Sequence, residues 1–154
     1  MSVIDFEAIR QKANSSSIPY VKMSGLRLEI AEERHCRMVM PLTEDHINHV
    51  GVAYAGSLFV LGEVFTAYLL YCTYGMDTYV PIAAKDEIEF VKPCREDMVV
   101  DVTLTQEEAD ALIAPVLERG KGRVTLKYPI QSISGEVVAN MTAVVYLLPK
   151  GGTL

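Results

Sequence analysis

The sequence is poor in cysteine and lacks the features of a secreted protein. Its three cysteines, Cys36, Cys72 and Cys94, are an odd number and include no C-x-x-C pair. Residues 1–17, MSVIDFEAIRQKANSSS, are charged and have no apolar segment of the kind that a secretory signal needs. We therefore expect a cytoplasmic protein whose thiols are reduced.

Basic residues are also scarce. The chain has 14 lysines and arginines against 20 aspartates and glutamates, which gives a net charge of −6. Because nucleic acids bind to basic surfaces, this balance disfavours a nucleic-acid partner. Repeats, linkers and low-complexity tracts are missing as well, so a single domain is expected over residues 1–154.

The sequence has no convincing membrane span. Its longest apolar stretch, residues 52–74, contains Gly62, Glu63, Thr66 and Thr73, and no basic anchors flank it. We interpret the stretch as a buried helix of a soluble protein, from about Ala55 to Tyr74, and expect no membrane partner.

Shorter elements surround this helix. An amphipathic helix is predicted over residues 3–13 with Ser2 as its N-cap. Thr105 and Glu108 form a T-x-x-E capping box that opens a second helix, residues 106–119, which Pro115 should kink or restart. Strand-like alternation is predicted at residues 26–30, 36–42, 88–92 and 97–105, and in a final hairpin (123–133 and 136–148) that turns at Ser134-Gly135.

This order of elements is an α+β pattern, because the strands come in runs and do not alternate strictly with helices. The long helix is apolar on nearly every side and therefore needs cover on nearly every side. An antiparallel sheet that curls around the helix would supply that cover.

Glu63 is the one carboxylate inside the apolar helix, and its position suggests a chemical role. Burial raises the pKa of a carboxyl group towards the range in which it serves as a base near neutrality. The small residues Ala55 and Gly56 at the helix start would leave backbone N–H groups open to a developing oxyanion. At about 1.5 Å per residue, Glu63 lies about 10 Å along the axis from Gly56, too far for both to act on one reacting group within a single chain. We therefore expect a two-fold dimer with shared sites, and a dimer of dimers is left open.

Residues 48–63, N-x-x-G-x-x-Y-A-G-S-L-F-x-L-G-E, resemble the motif of the phenylacetate-pathway type of hot-dog thioesterases. Those enzymes have N-x-x-G-x-x-H-G-G followed by F-x-L and an acidic residue at the same spacing. The segments PLTEDHINHVGVAYAGSL, IEFVKP and RGKGRV look closest to the thioesterase-like domain that some bacterial proteins carry behind an acetyltransferase domain. The resemblance implies a hot-dog fold, an antiparallel sheet wrapped around a long central helix.

The same resemblance implies an acyl-thioester hydrolase, with acyl-CoA or a similar thioester as substrate and no cofactor. Asn48 would position the thioester or the attacking water, the amides of Ala55 and Gly56 would polarise the carbonyl, and Glu63 would be the general base or nucleophile. Five further residues are candidates for substrate contact: Tyr54, Thr66, His49, Lys92 and Arg123. Lys92 and Arg123, with Arg119 and Lys121, could meet the phosphates of coenzyme A as one basic group, or could form only a solvated edge.

The chain departs from the family pattern at three positions. Tyr54 replaces the usual His, Ala55 replaces the first Gly, and Ala83 stands where some relatives carry a hydroxyl residue that holds the water. Two other functions therefore stay open: a non-catalytic binder of acyl-CoA or an acyl carrier, and a hydroxyacyl-thioester dehydratase that uses His46 or His49.

Structural roles also compete with the catalytic ones. Glu63 could be paired with Lys85, Arg37 or a tyrosine hydroxyl, and Asn48 could simply close an Asx-turn. A metal site at His46 and His49 is not expected, because no third ligand pattern accompanies them. Ser57 does not lie in a G-x-S-x-G elbow, which argues against a serine hydrolase.

Overall fold

The computed structural model describes residues 3–152 and contains four α-helices and six β-strands in that range. The helices are α1 (Phe6–Asn14), α2 (Pro19–Met23), α3 (Ala55–Tyr74) and α4 (Gln106–Arg119). The strands are β1 (Arg27–Glu32), β2 (His35–Met40), β3 (Tyr79–Phe90), β4 (Met98–Thr103), β5 (Gly122–Ser132) and β6 (Val137–Pro149). A short 3-10 turn at Glu44–His46 precedes α3.

The strands form one antiparallel sheet in the order β1-β2-β4-β5-β6-β3. The two long hairpin strands, β5 and β6, pair with each other, and β6 pairs on its other side with β3. Strand β3 forms one edge of the sheet. A bulge interrupts β3 between Ala83 and Lys85. The result is an α+β protein whose sheet has one long edge strand, β3, and one short edge strand, β1.

Helix α3 lies against the inner face of the sheet and contacts β2, β3, β4, β5 and β6. Leu61, Phe65 and Leu69 are fully buried, and the ring of Phe65 packs edge-to-face on Tyr128 of β5 at 5.0 Å. Gly62 allows the helix to approach the sheet closely, because a Cβ there would lie 3.2 Å from Ile130 and Met141. By length and composition α3 could cross a membrane, but half of it is buried within the protomer, which is typical of a core helix.

Most of the predicted elements are confirmed, and the differences have local causes. Helices α3 and α4 have the predicted bounds, and the capping box at Thr105 and Glu108 is formed. Helix α4 continues through Pro115 without a restart. Helix α1 begins at Phe6 because the side chain of Asp5 caps it with a 2.9 Å bond from the N–H of Ala8, whereas Ser2 lies outside the described residues.

Two elements differ from the sequence prediction. The segment after α1, which no predicted element covers, contains the short helix α2, since Pro19 at its first position is preorganised for a helix. Strand β3 begins at Tyr79 and is longer than the predicted segment 88–92. The first half of β3 was not predicted, because the bulge interrupts the two-residue alternation from which strands are predicted.

Candidate active site

The loop before α3 is held together by the side chain of Asn48. Its Oδ1 atom accepts hydrogen bonds from the backbone N–H groups of Val50, at 3.0 Å, and Val52, at 3.3 Å. The structural alternative for Asn48, an Asx-type turn, is therefore correct. Since two donors fix Oδ1, the Nδ2 group is the end of the side chain that remains available, and it can only donate.

Helix α3 begins without a side-chain cap. Tyr54 occupies the N-cap position and its side chain accepts no capping bond, and the hydroxyl of Ser57 donates to the carbonyl of His46 at 3.3 Å. Within residues 3–152 the N–H groups of Ala55 and Gly56 have no hydrogen-bond partner. Most helices satisfy such groups with a cap, so this start is a pair of open donors at the positive end of the helix dipole.

A cleft of about 310 Å³ opens beside Ala55, whereas Gly56 does not line it. It brings Asn48 and Ala55 together with residues 90–94, the chain that leaves β3, including Lys92. The cleft wall is largely apolar, and the ammonium group of Lys92 at its rim lies 3.4 Å from Glu136. We name this space the amide cleft.

Tyr54 and Gly56 are in direct contact at the N-terminus of α3. A Cβ atom built on Gly56 would overlap the ring of Tyr54, which is 55% exposed. The ring therefore lies over the backbone of Gly56, where only a glycine leaves room for it. This arrangement places the residue that replaces the family histidine next to one of the two open amides.

Glu63 lines a second, smaller cleft of about 20 Å³, together with Thr66, Ala83 and Asp86. Within the described chain its carboxylate forms no ion pair, because Lys85 pairs with Glu87 at 3.1 Å. Arg37, the other predicted partner, pairs with Glu29 and Asp101. The carboxylate is half-buried and unpaired, so these ionic alternatives for its role are wrong. We name this space the carboxylate cleft.

The surroundings of Glu63 disfavour its charge. Burial raises the pKa of the Glu63 carboxyl above its usual range, and the negative charge of Asp86 raises it further. Burial raises the pKa of Asp86 as well. A carboxylate with a raised pKa is a stronger base, and no cationic side chain of the described residues lines this cleft to offset its charge.

Thr66 lies in the carboxylate cleft, but its hydroxyl is engaged elsewhere. The hydroxyl groups of Thr66 and Tyr128 are hydrogen-bonded to each other, and both reach the carbonyl oxygen of Gly62, Thr66 at 3.2 Å and Tyr128 at 2.7 Å. Among the described residues, no tyrosine hydroxyl is hydrogen-bonded to Glu63, so that alternative is wrong as well. These two hydroxyls tie α3 to β5 beneath the cleft.

Asp86 is a residue of the site that the sequence analysis missed. It was passed over because the run Lys85-Asp86-Glu87 is typical of a solvated strand. The bulge in β3 changes this, because it places Ala83 and Asp86, three residues apart, on the same inward face. The one available signal was the two-residue alternation that puts Asp86 on the face of Ile88.

Among the described residues, the two histidines near the site, His46 and His49, are not placed to act as catalytic groups. His46 is buried, and its Nδ1 atom accepts a 3.2 Å bond from the backbone N–H of Thr43, which stabilises the 3-10 turn. His49 is exposed beside the amide cleft and does not line it. Among residues 3–152, no three His, Cys, Asp or Glu side chains are grouped so that they could hold a metal ion.

The basic residues do not form one group. Arg119, Lys121 and Arg123 line a third cleft of about 440 Å³ beside Tyr146, where α4 ends and β5 begins. Lys92 lies in the amide cleft, at the other end of the neighbouring strands. Arg123 of β5 lies opposite Tyr146 of β6, and Tyr146 lies opposite Ile82 of β3. The part of β3 between Ile82 and the end next to Lys92, at about 3.3 Å per residue, therefore separates Arg123 from Lys92 by roughly 25 Å. Within one protomer these residues cannot contact the same phosphate.

Comparison with known proteins agrees with this architecture. Residues 7–147 match the family described as Domain of unknown function (DUF4442). A protein of unknown function from Pseudomonas aeruginosa, described as a probable thioesterase, has a similar structure with a TM-score of 0.81 and 31% identity. That match covers 95% of this chain and 97% of the other. No curated protein matches the sequence significantly.

More distant structures show the same fold. A thioesterase from Haemophilus influenzae matches with a TM-score of 0.71 and 11% identity, over 96% of this chain and 93% of its own. The PaaI protein from the phenylacetic acid degradation operon of E. coli matches with a TM-score of 0.67 and 12% identity, over 94% of this chain and 96% of its own. The protein described here belongs to the DUF4442 family and has the hot-dog fold of thioesterase-like proteins, those of the PaaI type included.

Proposed function

We propose that the protein is an acyl-thioester hydrolase whose substrates are acyl-CoA or similar thioesters. The observation that carries this proposal is the half-buried carboxylate of Glu63, which has no ion pair in the described chain and a raised pKa. A protein keeps such a group at a cost in stability, and perturbed carboxylates in clefts are characteristic of catalytic sites. The open amides of Ala55 and Gly56 add the second element that thioester hydrolysis needs, a place for the oxyanion.

We propose further that each site is shared by two subunits. In one protomer the amide cleft and the carboxylate cleft have no lining residue in common. Glu63 is seven residues after Gly56 on one continuous helix, a distance of about 10 Å along its axis. Two copies with antiparallel α3 helices would bring the partner subunit's Glu63 to the amide cleft.

Strand β3 supports a two-fold assembly of this kind. It is an edge strand of 12 residues, and its exposed side chains include Val80 and Phe90. A long edge strand with unpaired backbone groups and apolar side chains is suited to pair with a second copy of itself. Such a pairing would also cover Val91 at the mouth of the amide cleft.

The mechanism follows from these positions. The thioester carbonyl oxygen would accept hydrogen bonds from the N–H groups of Ala55 and Gly56 and from Nδ2 of Asn48. The partner subunit's Glu63 would take a proton from water while the water oxygen attacks the carbonyl carbon. The negative charge then develops on the carbonyl oxygen, against the open amides and the helix dipole. When the tetrahedral intermediate collapses, the C–S bond breaks, the protonated Glu63 returns its proton to the thiolate, and a carboxylic acid and a thiol leave.

The test is thiol release from a panel of acyl-CoA substrates of different chain length. The wild type is expected to release free thiol, and Glu63→Gln is expected to lose at least about 100-fold in kcat, as for loss of a general base. Glu87→Gln is the matched control, since Glu87 is an exposed carboxylate on β3 that pairs with Lys85. Thiol release by Glu63→Gln at the wild-type rate would show that the mechanism is wrong.

A non-catalytic thioester binder is the second candidate, and one observation favours it. Ala83 supplies no hydroxyl to the carboxylate cleft, and the hydroxyl of Thr66 is occupied by Tyr128 and Gly62. No hydroxyl within the described chain is therefore available there to hold a water molecule. Saturable binding of acyl-CoA without thiol release over the whole panel would select this function.

A further inference from the structure

The carboxylate cleft contains two acids, and the proposed mechanism uses one. Glu63 faces it from α3 and Asp86 from β3, with Ala83 and Val145 between them. The cleft volume of about 20 Å³ is close to what a single water molecule needs, roughly 10–15 Å³ of accessible space. A water molecule held there could donate one hydrogen to each of the two carboxylates.

No cation faces this pair from the elements packed around it. Glu63 is the one charged residue of α3, and β6 has none. On β3 the neighbours of Asp86, Lys85 and Glu87, are exposed and paired with each other. Tyr128 of β5, on which the charges of both acids act, is bonded to Gly62 and Thr66. Asp86 and Glu63 are thus the charged groups of the cleft.

We propose that Asp86 is a second catalytic carboxylate, which accepts one hydrogen of the attacking water while Glu63 accepts the other. This inference rests on the proposed hydrolase function. In this role Asp86 would hold the water in place of the hydroxyl residue that some relatives carry at the position of Ala83. A water molecule whose two hydrogens are fixed by two acceptors directs a lone pair at the thioester carbon. Glu63 takes the proton during attack, and Asp86 keeps its hydrogen bond to the hydroxyl that is added to the carbonyl.

Two further facts agree with close contact between the acids. The charge of Asp86 raises the pKa of Glu63, after the larger effect of burial. Burial raises the pKa of the Tyr128 hydroxyl, and the charges of both Asp86 and Glu63 raise it further, so all three groups share one neighbourhood. The bulge between Ala83 and Lys85 brings Ala83 onto the inward face that Asp86 shares with Ile88.

Three variants test the inference. Asp86→Asn keeps an oxygen acceptor and removes the charge, whereas Asp86→Ala removes both, and Glu87→Gln removes a charge from the outer face of the same strand. We expect Asp86→Ala to lower kcat by at least about 100-fold with little change in KM, and Asp86→Asn to retain activity within about tenfold of the wild type. Glu87→Gln should behave as the wild type. Equal kcat values for Asp86→Ala and the wild type would overturn the inference.

A measurement without turnover separates this inference from the proposed function. The pKa of Glu63, followed by NMR of its carboxyl carbon, should fall in Asp86→Asn and stay unchanged in Glu87→Gln. If the wild type hydrolyses thioesters but the Glu63 pKa is the same in Asp86→Asn, the inference fails and the hydrolase function stands. If the pKa falls and no thioester is hydrolysed, the two acids are close together, but the hydrolase function and the catalytic role of Asp86 both fail.

Discussion

The backbone N–H of Asn48 donates a 2.8 Å hydrogen bond to the carbonyl of Val52, and the N–H of Val52 donates a 3.3 Å bond back to Oδ1 of Asn48. This reciprocal pair fixes the loop that leads into α3. It also occupies Oδ1 of Asn48 in the loop, which leaves Nδ2 as the end that the proposed mechanism assigns to the substrate carbonyl. The two tasks can be separated by mutation.

Asn48→Asp should retain the loop and lose the proposed substrate contact. The carboxylate still accepts from Val50 and Val52, so the melting temperature should stay close to the wild type. It cannot donate to a carbonyl, so kcat/KM should fall by about 10² to 10³, the usual cost of one oxyanion donor. Asn48→Ala is the companion variant, and it should also lose about 1–2 kcal/mol in the free energy of unfolding, because two loop N–H groups lose their acceptor. Full activity in Asn48→Asp would contradict the role of Nδ2.

The contact of Gly56 with Tyr54 predicts coupled effects. Gly56→Ala forces the exposed ring of Tyr54 to move, because the new Cβ would overlap it. In Tyr54→Ala that obstacle is gone, so the same Gly56 substitution should cost less kcat/KM. A double-mutant cycle should therefore give a coupling of at least about 0.5 kcal/mol. If Gly56→Ala costs the same in both backgrounds, the ring does not shape the approach to the amide.

The hydroxyl pair of Thr66 and Tyr128 should matter for stability. Thr66→Val keeps the shape of the side chain and removes one buried hydroxyl, while Tyr128 still donates to the carbonyl of Gly62. We expect a loss of about 1 kcal/mol in the free energy of unfolding, measured by urea denaturation. Tyr128→Phe should cost a similar amount, and the double variant less than the sum of the two, since they share one network. Additive losses would mean that the hydroxyls act independently.

Glu63 should make the protein less stable as pH rises. Its pKa is raised in the folded state, so its contribution favours folding below the unfolded pKa and is lost as pH rises through the folded pKa. Glu63→Gln removes the free-energy cost of holding a charged carboxylate in the half-buried cleft, and it should have a higher melting temperature than the wild type at pH 8. At pH 4, where the carboxyl is largely protonated, the difference should shrink. A melting temperature that is lower in Glu63→Gln at pH 8 would indicate that the carboxylate has a stabilising partner.

Much of the fold could be predicted from the sequence because its signals are local. Helix α3 coincides with a run of apolar residues and ends at Gly75, which has a positive φ. Helix α4 begins at its capping box and ends at Gly120. The resemblance of residues 48–63 to a thioesterase motif correctly indicated the hot-dog fold. The link to domains that follow acetyltransferases stays a prediction.

The parts of the site that could not be predicted depend on topology. Arg123 and Lys92 are both basic residues at strand ends, and only the pairing of β5 with β6 and of β6 with β3 shows that they lie at opposite ends. Asp86 shares the inward face of Ile88 by ordinary alternation, and a single bulge brings Ala83 onto the same face. The open amides were foreseen from the small residues at the helix start, but the double role of Asn48 required the loop geometry.

The most direct test of a site shared between subunits is complementation between two inactive variants. Asn48→Asp and Glu63→Gln should each be inactive, and mixed subunits should form dimers in which one site carries both substitutions and the other carries none. Random exchange of equal amounts should restore about a quarter of the wild-type activity, since half of the dimers then contain one intact site of two. A mixture that exchanges subunits and stays inactive would show that Asn48 and Glu63 act within one chain and would contradict the shared site.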